Sequence, residues 1–358
     1  MNMQPFPPVP HAGVLPSGPR SSIADVAGVT VGHCTLDEGP IQTGVTVLHP
    51  HPGDVYRRKV PAGATVINGF GKSVGLVQVN ELGLLETPIA LTNTFGVGAI
   101  AQAQIRSAIR ANPQIGRDWP TVNPLVFECN DGYLNDIQAL AVTAEHYEIA
   151  CSNASVEVQR GAVGAGRGMS CFDLKGGIGT ASRVIEIAGE RYTTGALALT
   201  NFGRLPTLTL GGVAVGRVLA KRSASGDTHA TKPEHGSIIM IIATDAPLDA
   251  RQLKRLSMRA AAGLARTGSV YGHGSGDIAL AFTTAWTVAC DADLAIRPQI
   301  LADARLDPLF EACADSVEQS IVDAMWHAVS VTGRTGHRRL SLHDAAPDIA
   351  QLIDGVRL

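Results

Sequence analysis

The sequence has no excess of basic residues: 29 Lys and Arg stand against 32 Asp and Glu, a formal net charge of -3 over 358 residues. Without a positive footprint, nucleic acid is a poor partner and electrostatic attachment to an acidic membrane is unsupported. There is no Cys-x-x-Cys pair. The six cysteines (Cys34, Cys129, Cys151, Cys171, Cys290 and Cys313) are scattered, so a structural zinc site is not expected and buried free thiols are. No metal or other cofactor is expected. No apolar run reaches the roughly 18 residues of a membrane span, because Ile238–Ala243 is broken by Thr244-Asp245. The start carries Pro5, Pro7, Pro8, Pro10, Pro16 and Pro19 in place of the charged-then-apolar pattern of a secretory signal, which makes the cytoplasm the expected compartment. A dinucleotide turn is missing too: Gly164-Ala165-Gly166-Arg167-Gly168 lacks the Gly-x-Gly-x-x-Gly spacing, and no Gly-Lys-Ser/Thr follows to make a phosphate loop.

What is present is a chain with 45% hydrophobic residues, long enough for one large domain or two modest ones. Short β-rich runs punctuated by glycine cover 22–32 and 43–48, further strands are expected over 64–70, 89–94 and 122–129, and Val97–Ala111 has helical spacing. His49-Pro50-His51-Pro52 reads as a loop, with no third ligand nearby. Asn130 to Asp136 supplies the turn chemistry of a strand-exit loop. Residues 161–179, the most glycine-dense part, are expected to form a close-packed loop. Ala196–Thr200 is a strand delivering Asn201. Helices are expected over 249–266 and 307–331, with a strand over 278–286 behind the turn Gly272–Asp277.

One stretch stands out. The hydrophilic connector Lys221–Glu234 meets, at Gly236, a nearly unbroken apolar run from Ile238 to Ala243, and a single hydroxyl, Ser237, lies at the junction. Runs of this kind read as strands buried on both faces. Alone, Gly236-Ser237 is a turn entering a strand; partners elsewhere decide whether it is more. The connector is the best candidate for an exposed, cleavable linker.

Several segments, in order, supply those partners. Ile23–His33, Asn130–Asp136, Gly164-Ala165-Gly166 with Lys175–Thr180, Thr200-Asn201-Phe202-Gly203, Gly236–Ile239 and Gly274–Ile278 resemble the L-aminopeptidase/D-esterase family, which includes the β-peptidyl aminopeptidases. The resemblance covers most of the chain. It implies an α+β fold, a four-layer αββα sandwich layered like the N-terminal nucleophile hydrolases but differently connected. It also implies a single domain that cuts itself between Gly236 and Ser237 into chains 1–236 and 237–358. Ser237 then becomes an N-terminal nucleophile with its own α-amine as base. By the same resemblance, Asn201 donates to the oxyanion, Tyr133 adds a hydroxyl, and Ser275 with Asp277 orients the amine. Glu128 or Asp131 binds the substrate ammonium, with Glu128 preferred. The expected partners are a small peptide, amino-acid amide or ester, and further copies of the chain in a homo-oligomer, a tetramer of processed pairs.

Each residue also has a purely structural reading. Asn201 and Asp131 suit turn caps, Tyr133 a core position with a bonded tip, and Ser275-Gly276-Asp277 a tight turn. Glu128, late in an apolar run, is harder to explain structurally, since a buried carboxylate is costly without a partner. His235 and His273 adjoin the two serines and suggest a conventional serine–histidine triad, which ranks below the N-terminal amine because neighbours along a strand point to opposite faces and no acid is placed to orient either ring. Two other functions compete: an acyl transferase of the ornithine acetyltransferase type, disfavoured by serine in place of threonine, and an uncut binding module. Preference among L-α, D-α and β-amino acids is left open.

Overall fold

Apolar residues alternate between two environments along the run behind His235. Ile239, Ile241 and Ala243 enter one buried cluster while Ile238, Met240 and Ile242 enter another, as the two-residue period of a strand covered on both faces requires. In this computed structural model, which describes residues 7–222, 235–293 and 298–354, that strand is the centre of the larger sheet.

In chain order the described elements are β1 (Thr30–Leu36), β2 (Thr43–His49), β3 (Arg58–Gly69), α1 (Leu76–Leu82), β4 (Leu84–Leu85), β5 (Ile89–Asn93), α2 (Val97–Ala111), β6 (Val126–Cys129), α3 (Ala144–Ser152), β7 (Ser170–Cys171), β8 (Leu174–Lys175), β9 (Gly177–Ile187) and β10 (Glu190–Asn201). Then come α4 (Val215–Arg222), β11 (His235–Thr244), α5 (Ala250–Met258), α6 (Ala260–Arg266), β12 (Gly274–Thr283), β13 (Val288–Ala289) and α7 (Asp307–Trp326), before short C-terminal elements. One sheet has the order β1-β2-β5-β6 and the other β13-β3-β12-β11-β10-β9, with β4 beside β3. Both are mixed: β5–β6 and β11–β12 pair parallel, and the remaining ladders are antiparallel. The fold is therefore α+β with several sheets.

The three largest buried clusters among the described residues hold these elements. Val31, Leu48, Leu91 and Phe127 of the smaller sheet share a cluster with Leu197, Leu199, Ile241 and Phe282 of the larger. On the larger sheet's other side, Ile238 and Met240 pack with Leu253, Leu264, Val317 and Ile321 of α5, α6 and α7. Val45, Val47 and Val126 pack with Ile100 of α2 and Tyr147 of α3. Burying a side chain the size of Ile241 at such a site is worth enough that truncation to alanine costs about 2–5 kcal/mol.

Four expectations shift. The first β-rich run is not one strand: Ile23–Asp25 forms a 3-10 turn capped by Ser22, and the strand begins at Thr30. The glycine-dense stretch is only partly loop, because Gly177–Ile187 is a full strand of the larger sheet; its glycines read as punctuation, but they admit close backbone neighbours, Gly179 packing where a Cβ would lie 1.9 Å from the Ser320 carbonyl oxygen. The helix over 249–266 is two helices, α5 and α6, meeting at Arg259. The connector starts later than expected, since Lys221 and Arg222 end α4, and most of its length lies outside the described residues. Among the described residues no helix is long and apolar enough to cross a membrane.

Candidate active site

β11 places Ser237 at the centre of three strands. Across the antiparallel ladder it faces Asn201, the last residue of β10, and across the parallel ladder it faces Gly276 of β12. Its hydroxyl is nearly buried, donates to the Gly236 carbonyl at 2.7 Å and accepts the Gly276 N–H at 3.2 Å. Among the described residues no histidine bonds to it. The ring of His273 lies instead against Phe70, with centroids 6.1 Å apart, while the His235 side chain lies outside the description. Gly236 has φ +140, and a Cβ there would stand 2.0 Å from the Asn201 carbonyl oxygen, so only glycine brings the backbone this close to β10.

Asn201 is held at both ends of its amide. Oδ1 accepts the Ser170 N–H at 2.9 Å, and Nδ2 donates to the Asn130 carbonyl at 2.9 Å. Two backbone partners of opposite character fix which end is nitrogen, and one of its two hydrogens remains for another acceptor. Behind this turn sits the fully buried Lys175, whose Nζ donates to the carbonyls of Gly166 (2.9 Å), Met169 (2.8 Å) and Gly176 (2.7 Å). Burial pulls its pKa well down. Three carbonyl acceptors nevertheless require three N–H donors, which only the ammonium form has.

A cavity of about 470 Å³ opens over Ser237 and is lined by Glu128, Asn130, Tyr133, Asn201, Gly236 and Ser237, with Thr94, Lys72, Ser170 and Arg339 among the other walls. Glu128, 2% exposed at the end of β6, accepts the Lys72 N–H at 2.7 Å and the Thr94 hydroxyl. No side-chain cation of the described residues lies within ion-pair distance of it; the Lys72 ammonium is turned to the Phe70 ring and carbonyl. Tyr133, 40% exposed, stacks on His337 with centroids 4.7 Å apart and carries the Arg339 guanidinium 3.8 Å from its ring centre. It is a cavity wall and not a core residue.

Ser275 and Asp277, two apart on β12, are both buried, and the Ser275 hydroxyl donates to Asp277 Oδ1 at 2.5 Å. Ser275 stands opposite Gly236 in the parallel register. Asp131 is not brought to the cavity. It is fully buried beneath the turn after β6, where its Oδ1 accepts the Asn135 amide at 3.0 Å. Burial raises its carboxyl to about 6, against the opposing pull of Thr43, Asn135 and Asn93. The Cys129 thiol is also pushed well above its usual range, first by burial and then by the charges of Glu128, Asp277 and Asp131. Thr94, the Lys72 backbone and Ser170 carry no sequence signal of their own, being ordinary residues whose roles arise from what they hold. Among the described residues no group of three or more His, Cys, Asp or Glu side chains is placed to hold a metal ion.

Residues 21–339 match the family described as Peptidase family S58. The chain belongs to this family. A β-peptidyl aminopeptidase, BapA, of Sphingosinicella microcystinivorans is 38% identical over 351 residues, which span 92% of this chain and 86% of that one. Among solved structures, the PH0078 protein of Pyrococcus horikoshii OT3 superposes with a TM-score of 0.91 at 45% identity, covering 96% of this chain and 97% of that one. The L-aminopeptidase D-Ala-esterase/amidase of Ochrobactrum anthropi, described as a prototype serine aminopeptidase and a new variant of the Ntn hydrolase fold, superposes at 0.85 with 34% identity over 96% of this chain and 98% of that one. Membership of S58 makes the chain a peptidase and removes the uncut binding module as an account of it.

Proposed function

We propose that this S58 peptidase is a self-processing serine aminopeptidase that releases the N-terminal amino acid from small peptides, amides or esters. The observation that carries the reading is the grouping around Ser237: a buried hydroxyl on the Gly236 carbonyl, a fixed amide opposite it, and, in the same cavity, a buried carboxylate with no side-chain cation of the described residues at ion-pair distance. In processing, Ser237 Oγ attacks the Gly236 carbonyl carbon, its proton passes to the departing Ser237 nitrogen as the Gly236–Ser237 C–N bond breaks, and an ester with a free Ser237 amine results; water then hydrolyses that ester to a Gly236 carboxylate and the Ser237 hydroxyl. Chains 1–236 and 237–358 result.

The new α-amine, with an ordinary pKa of ~7.7–8.0, is a base on the same residue as the nucleophile. Ser275, opposite Gly236, and Asp277, bonded to the Ser275 hydroxyl, hold and charge-balance it. Substrate binds with its ammonium on Glu128, which supplies the missing cation. As the tetrahedral intermediate forms, the spare N–H of Asn201 meets the oxyanion and the Tyr133 hydroxyl lies alongside; donors already fixed by the backbone cost no reorganisation at that moment. The two sheets, with α2 and α3 on one outer face and α5, α6 and α7 on the other, support a four-layer αββα sandwich. Assembly of processed pairs into a tetramer completes the proposal. A direct test is hydrolysis of an amino-acid p-nitroanilide by the purified chain, with complete loss in Ser237→Ala; an Ala variant that retained turnover would remove Ser237 from the chemistry.

A further inference from the structure

Two side chains of opposite charge, Glu128 and Arg339, stand in the cavity wall on the two sides of Ser237. Glu128 lies against Gly71, where a Cβ would stand 3.6 Å from the carboxylate and 3.7 Å from Gly276 Cα, and the Gly276 N–H donates to Ser237 Oγ. On the other side Ser237 faces Asn201, Asn201 is held by Ser170, and the Ser170 hydroxyl accepts Arg339 Nε at 3.1 Å. The sequence from wall to wall is thus carboxylate, nucleophile, oxyanion donor, guanidinium. Arg339 lines that side of the cavity, with Asp173 a loose 4.0 Å from its guanidinium and also accepting the Leu205 N–H at 3.0 Å.

Arg339 is placed as recognition groups are. Its side chain is 21% exposed, its plane lies over the Tyr133 ring, and one of its five donors is spent on Ser170. Stacking and that single bond set the orientation of a guanidinium that lines the cavity, with Asp173 only loosely matched to one Nη, and such a planar fork is suited to bidentate capture of a carboxylate. In a substrate whose ammonium sits on Glu128 and whose scissile carbonyl sits at Ser237, the next charged group along the chain is the carboxylate of the leaving amino acid. It falls on the Asn201 side, beyond the leaving nitrogen.

We propose that Arg339 is a specificity-determining residue that binds the free carboxylate of the leaving amino acid, so that the favoured substrate is a zwitterionic dipeptide spanning Glu128 and Arg339. This rests on the aminopeptidase reading and narrows it. The test is the specificity constant for a dipeptide and for its C-terminal amide, both with free amino termini, in wild type, Arg339→Gln and Arg339→Lys. Wild type should prefer the free acid by on the order of ten- to a hundredfold, the range of a hydrogen bond to a charged group. Arg339→Gln should bring the ratio near one, the greater loss falling on the free acid, and Arg339→Lys should keep part of the preference. If Arg339→Gln does not fold, the reduced ratio in Arg339→Lys serves in its place. Equal use of acid and amide by wild type, an unchanged ratio in the variants, or a parallel loss of both substrates in them overturns the inference. A wild type that cuts neither overturns the aminopeptidase reading itself, which separates the two failures.

Discussion

Asn201 and Ser237 are direct cross-strand partners at the ends of β10 and β11, and the Asn201 amide is fixed by Ser170 on one side and Asn130 on the other. A donor so placed contributes mainly when charge develops on the substrate oxygen. Asn201→Ala is expected to lower turnover by on the order of 10² to 10³, roughly 3–4 kcal/mol, with little change in the Michaelis constant. Steady-state kinetics on an amino-acid amide measure it. A raised Michaelis constant at normal turnover would reassign Asn201 to binding or to turn capping.

Glu128 is expected to select a free amino terminus. N-acetylated substrates should fail with wild type, because they leave the buried carboxylate without a cation. Glu128→Gln keeps the shape and the Thr94 and Lys72 partners, and should cost roughly 10- to 100-fold in specificity constant for free-amine substrates. Self-cleavage, which uses no ammonium, should proceed as in wild type. A mutant whose preference between free and acetylated forms matches wild type would place the ammonium elsewhere.

Asp131 gives a pH signature in stability and not in catalysis. Its carboxyl is raised from 3.8 to about 6 by burial, so the folded state holds the proton more tightly than the unfolded chain does. The contribution is fully favourable below about 3.8 and is lost as pH rises through about 6, amounting to about 3 kcal/mol over the whole interval. Asp131→Asn keeps an acceptor for Asn135 without the charge. In the uncut Ser237→Ala background, its stability relative to Asp131 should be higher at pH 7 than at pH 4 by denaturant midpoint. The same difference at both pH values would contradict this account of Asp131.

Much of the site was legible because its chemistry sits at strand mouths. The apolar run behind Ser237, the strand delivering Asn201 and the paired Ser275 and Asp277 each have a local pattern, and family resemblance tied them together. The choice of Glu128 over Asp131 rested on a carboxylate late in an apolar run, and the structure places Glu128 on the cavity and Asp131 under the turn. What sequence could not show is contact over long separation: Thr94 and the Lys72 backbone holding Glu128, or Arg339 reaching Ser170 from 169 residues away. Strand β9 was hidden for a related reason. Its glycines answer to neighbouring backbone in the folded state, which no local pattern encodes.

The central claim is that the chain cuts itself at Gly236–Ser237. The hydroxyl already rests on the carbonyl of the bond to be cut, 2.7 Å from its oxygen. Intact mass measured under denaturing conditions on purified protein tests this most directly. Wild type should yield two species whose masses correspond to residues 1–236 and 237–358, and Ser237→Ala one species of 358 residues. A wild-type chain that stays whole after long incubation yet hydrolyses amino-acid amides at full rate would contradict the N-terminal nucleophile account.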